Sequence, residues 1–102
     1  MTRREFIAIS DKMKVLAAEQ MDEDAAVMSC TIFVQTKDKE AFEFATIRRD
    51  DGGHITEDGH GGILSPDSII FITNNDGSIV DVPFTNVDTL YMQPERSDKN
   101  RN

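Results

Sequence analysis

Two imidazoles stand among carboxylates in one short stretch of the chain. His54 and His60 are six positions apart, with Asp50, Asp51, Glu57 and Asp58 beside them. Imidazole nitrogens and carboxylate oxygens form a donor set for zinc or another divalent transition ion. The features that make a metal motif specific are missing: the chain has no HExxH, no CxxC and no EF-hand series. Five of the six glycines also fall in residues 50–62, so no helix or strand is expected to fix the spacing of the two histidines. A solvated loop is the simpler expectation, with His54 and His60 as its candidate metal ligands. Nearby carboxylates would favour the charged imidazoles, which makes the loop a candidate pH-responsive segment.

Nucleophilic chemistry is poorly supplied. There is no G-x-S-x-G elbow, and Ser65 and Ser68 flank a Pro-Asp turn. The single cysteine, Cys30, lies in an apolar run without a cationic neighbour, as a small core residue does. The carboxylates of residues 50–62 lack the apolar surroundings that would raise one pKa for acid–base work. Four acids without a Lys or Arg also oppose phosphate binding by the glycines. No enzymatic activity is expected.

The distribution of charge is the most informative feature. The chain has 102 residues and a formal net charge of −8. Between Asp50 and Pro94 there is no Lys or Arg, but there are eight acids, while the rest of the chain carries eleven charges of each sign. Such a surface repels phosphate backbones, so direct nucleic-acid binding is not expected. It attracts basic proteins. The candidate binding residues are Asp50, Asp51, Glu57, Asp58, Asp76, Asp81 and Asp88. A carboxylate-rich surface competes for phosphate-binding sites, so an inhibitor or regulator of a nucleic-acid-handling protein would suit it. One cysteine allows no intramolecular disulfide and fits a reducing compartment. No apolar run approaches the roughly 20 residues of a membrane helix, so a cytoplasmic protein without membrane attachment is expected.

The elements that must position these residues are legible in part. Thr2-Arg3-Arg4-Glu5 has capping-box form, and Phe6, Ile9, Met13, Leu16, Ala17 and Met21 make one helical stripe, ending near Met21. Residues 26–36 alternate as a strand, with Met28, Cys30, Ile32 and Val34 inward and Val27 and Phe33 outward. A charged turn follows, then a second strand at 41–49 with Phe42 and Phe44 opposed to Glu43. Residues 68–84 form the clearest hairpin, two β-rich runs around a polar tip ending in Asp76-Gly77. Its first strand has apolar residues on both faces, as in a strand covered on both sides. A short strand at 90–92 closes a domain spanning residues 1–93, and 94–102 form a disordered polar tail.

The expected fold class is therefore α+β. An N-terminal amphipathic helix joins a five-stranded antiparallel bent sheet or barrel, resembling SH3-like or Sm-like barrels in layout alone. That layout admits a second function, a homo-oligomeric small barrel holding a small ligand between subunits.

Overall fold

In the computed structural model the described residues are 1–62, 65–72 and 77–97. The hairpin tip with Asp76 and most of the expected tail lie outside them. Helix α1 (Arg3–Glu23) begins at the expected capping box: Glu5 N–H donates to Thr2 Oγ1 at 3.1 Å, and Thr2 N–H donates to Glu5 Oε1 at 2.9 Å. Its buried line is Phe6, Ser10, Ala17 and Met21. Leu16, expected on that line, is exposed. At about 100° per residue it lies on the flank away from Met21.

The acidic end of α1 is accommodated by two arginines from the sheet. Arg49 Nη2 donates to the Met21 carbonyl at 2.6 Å, and Arg96 Nη2 reaches Asp24 Oδ2 at 2.6 Å. Cations at a helix C-terminus complement its dipole and its unpaired carbonyls. α1 therefore extends two residues beyond the expected Met21.

Seven strands form two antiparallel sheets among the described residues, where five in one bent sheet were expected. β1 (Val27–Thr36), β2 (Ala41–Arg49), β3 (Ile55–Gly59) and β7 (Val87–Arg96) make a four-stranded sheet in the order β3-β2-β1-β7. β4 (Gly61–Gly62), β5 (Ser68–Ile72) and β6 (Ile79–Pro83) make a three-stranded sheet in the order β4-β5-β6. The sheets do not close, so the α+β class holds and the SH3- or Sm-like barrel does not appear. No described helix is long and apolar enough to cross a membrane.

The glycine-rich stretch is not a long open loop. Ile55 to Gly59 add to the free edge of β2, from Arg49↔Ile55 to Ala45↔Gly59. The chain then crosses to the small sheet at His60, whose N–H donates to the Phe44 carbonyl at 2.9 Å. Gly61 is required there, because a Cβ would meet the Phe71 ring at 2.9 Å and the Phe44 ring at 3.0 Å.

Three irregularities re-aim side chains. Across β1–β2 the register passes from Ile32↔Ala45 to Phe33↔Glu43, which makes Phe44 an extra residue. Phe44 packs edge-on to Phe6 (centroids 5.1 Å apart) and reaches Phe71 of the small sheet at 6.5 Å. Met28 is extra where β1 meets β7, so Val27 becomes the core residue and Met28 is 40% exposed, the reverse of the expected pattern. Asp88 is extra on β7.

β5 is fully covered on one face and only in part on the other, where Ser68 is buried and Ile70 half-buried. Ile69 and Phe71 are buried, but Ile72 is 63% exposed opposite an equally exposed Ile79. α1 packs on β1, β2 and β7. Gly77, with φ +75°, supplies the left-handed residue beside the hairpin tip. β7 is ten residues long and runs through Pro94 to Arg96, so the expected domain end at residue 93 falls inside a strand. A proline is tolerated there because β7 is an edge strand.

The core has two parts. Phe6, Ile32, Val34, Phe44, Phe71, Phe84 and Leu90 belong to the larger, where helix and both sheets meet. Ala17, Met21, Val27, Cys30 and Ile47 form the smaller, beneath the second half of α1.

Candidate interaction face

The structure disperses the six candidate acids that fall among the described residues. Asp50 closes the β2–β3 turn: its Oδ1 accepts from Gly52 N–H and His54 N–H, both at 2.9 Å. These backbone donors, chiefly that of His54, hold its carboxyl below the usual range. Asp51 is exposed in the same turn. Glu57 reaches Lys14 Nζ at 2.8 Å, and Asp58 reaches Arg48 Nε at 2.6 Å. Asp81 and Asp88 are exposed on the other sheet and at the far end of β7. Asp76 lies outside the described residues. The acidic half is thus partly neutralised by bases from the N-terminal half, and its candidates among the described residues form no single patch.

The candidate metal ligands are also separated. His54 precedes β3 and His60 follows it, so about 20 Å of extended chain lies between them. His54 Nδ1 is 3.6 Å from Asp50 Oδ1, whereas His60 Nε2 is 3.1 Å from Thr46 Oγ1. No group of three or more His, Cys, Asp or Glu is placed to hold a metal among the described residues. The strand that the glycines conceal is what holds the two imidazoles apart.

Thr46 Oγ1 lies in turn 3.2 Å from Thr31 Oγ1, giving a chain His60–Thr46–Thr31 across β1 and β2. A hydroxyl beside an imidazole is the start of a nucleophile–base pair. Among the described residues no carboxylate orients the His60 ring, so the third member of a triad is missing. Cys30 is fully buried, and burial pushes its thiol pKa up, which makes it a poor nucleophile.

The hydroxyl chain belongs to the side of the four-stranded sheet turned away from α1. Strand alternation and register place Thr31 and Phe33 of β1 there, with Glu43 and Thr46 of β2 and Tyr91, Gln93 and Glu95 of β7. Phe33 and Tyr91 are cross-strand partners whose rings stack at 5.1 Å with planes 13° apart. Below that pair lies a depression of about 280 Å³ lined by Thr31, Phe33, Glu43, Gln93, Pro94 and Glu95. The nearest bases along the strands are engaged elsewhere, Arg48 with Asp58 and Arg96 with Asp24. Glu43 and Glu95 have no ion-pair partner among the described residues.

Sequence reasoning locates only part of this face. Alternation turns Phe33 outward and sets Glu43 against Phe42 and Phe44. Tyr91 stands out as the single tyrosine, but Gln93 and Glu95 fall beyond the short strand expected at 90–92. Compared with protein-family models, curated proteins and solved structures, the chain matches none at significance, so its function is argued from its own geometry.

Proposed function

We propose that this chain is a non-enzymatic protein-binding module for a basic partner, and that the outer side of the four-stranded sheet is its contact surface. One observation carries this: a stacked pair, half-buried Phe33 and exposed Tyr91, adjoins two carboxylates, Glu43 and Glu95, without counter-ions among the described residues. Aromatic residues supply most of the energy of small interfaces, and complementary charge supplies orientation and encounter rate. The same chemistry suits a regulator that occupies the basic surface of a nucleic-acid-handling protein, since its carboxylates stand where phosphates would.

The test is binding of an octa-arginine peptide, with octa-glutamate as control, to the full chain and to two variants. Phe33→Ser with Tyr91→Ser removes the aromatic pair; Asp51→Asn with Asp81→Asn and Asp88→Asn removes dispersed charge. Loss in the first and retention in the second is expected. The opposite pattern rejects the face.

Self-association is a second function that the topology favours, because β7 presents ten residues of sheet edge. A solution mass of one chain at micromolar concentration argues against it.

A further inference from the structure

We propose that the depression beside Phe33 is a guanidinium-binding subsite, which takes an arginine side chain of the partner. This rests on the protein-binding function above and names the chemical group recognised. The floor is made by Thr31 and Phe33 of the central strand β1, and the walls by Glu43 of β2 and by Gln93, Pro94 and Glu95 of β7. Strands two apart are separated by about 10 Å, so a planar group lying over β1 faces acceptors from both sides. Those acceptors are two carboxylates, the Gln93 amide oxygen and the Thr31 hydroxyl. No basic side chain lines the depression among the described residues.

The shape and chemistry select the occupant. A volume of about 280 Å³ lies at the small end of ligand sites and has room for one side chain. A cation is required because both ionised wall groups are acids. Arginine fits better than lysine, since its fork of five donors reaches separated acceptors while its flat face lies against an aromatic ring. A lysine ammonium is a point charge and can serve only one wall closely.

The experiment is an NMR titration of the isotopically labelled full chain with N-acetyl-arginine amide and, separately, N-acetyl-lysine amide. Saturable shifts confined to the amides of Thr31, Phe33, Glu43, Gln93 and Glu95 are expected, with arginine the tighter ligand. Glu43→Gln with Glu95→Gln should weaken it about fivefold. Glu95→Gln alone, on an exposed strand end, should give a partial loss and covers the case in which the double variant fails to fold. Equal affinity for the two probes, or undiminished affinity in a folded variant, overturns the subsite. If octa-arginine then still binds the outer face of the double variant, only the subsite fails. If octa-arginine does not bind the wild-type chain, the binding function fails with it.

Discussion

Phe33 and Tyr91 face each other across β1 and β7, their rings 5.1 Å apart, on the side of the sheet that α1 does not cover. Tyr91 remains 38% exposed, whereas Phe6 on the covered side is fully buried against Phe44 and Phe84. The two sites should respond differently to truncation. Phe6→Ala is expected to cost about 3–5 kcal/mol in urea unfolding. Tyr91→Ala should cost no more than about 1.5 kcal/mol, the scale of one aromatic pair, yet should reduce octa-arginine binding.

Gly61 lies where the chain passes from one sheet to the other, against Phe44 of the first and Phe71 of the second. A Cβ there would press on the rings of Phe71 and Phe44 at about 3 Å, and both rings are held in the core. Gly61→Ala should therefore lower stability by about 1–3 kcal/mol, measured as a shift of the urea midpoint. Gly59→Ala, where a Cβ meets nothing within 4 Å, is the control and should cost less.

The carboxylates of residues 50–58 are structural as well as acidic. Glu57→Lys removes the counter-ion of Lys14, and Asp58→Lys that of Arg48, leaving like charges side by side. Each pair is partly exposed, so the expected losses are about 0.2–1 kcal/mol per pair plus the added repulsion. Asp51→Lys and Asp81→Lys, at exposed positions without an ion pair among the described residues, should leave thermal stability nearly unchanged. Equal destabilisation at all four positions would speak against the assigned pairs.

Acid should loosen the turns before the core. The carboxyls of Glu5, Asp24 and Asp50 are held below their ordinary range, each first by a backbone N–H: that of Thr2, Ala26 and His54 respectively. A carboxyl with a lowered folded pKa binds its proton more weakly when folded. Its contribution is thus complete above the unfolded value of about 4 and disappears as pH falls through the lowered folded value. Stability should be flat with respect to these three groups from pH 7 to about 5 and decline below about 4. Asp50→Asn should reduce that decline, measured by thermal unfolding across pH.

What the sequence disclosed followed the strength of local signals. The capping box at Thr2 and Glu5, the β2 boundaries and the β5–β6 pairing rest on short-range patterns, and all are present. Bulges were not legible. An extra Met28, Phe44 or Asp88 changes which side chains point inward, yet leaves no mark in a two-residue alternation. β3 was hidden because Gly59 and the preceding acids have low strand propensity. It forms because β2 offers it an open edge, a tertiary cause outweighing a local one. The acids dominated the charge count, but Lys14 and Arg48 meet Glu57 and Asp58 only after folding. Glu43 and Glu95, 52 positions apart, are brought to one depression by strand order alone.

The most direct measurement is an amide shift map of the labelled chain titrated with octa-arginine at physiological ionic strength. The predicted result is a contiguous set of perturbed amides on the outer side of the four-stranded sheet, centred on Thr31, Phe33, Tyr91, Gln93 and Glu95. Perturbations centred instead on Asp51, Asp81 and Asp88, or spread evenly over every exposed acid, would contradict a binding face there.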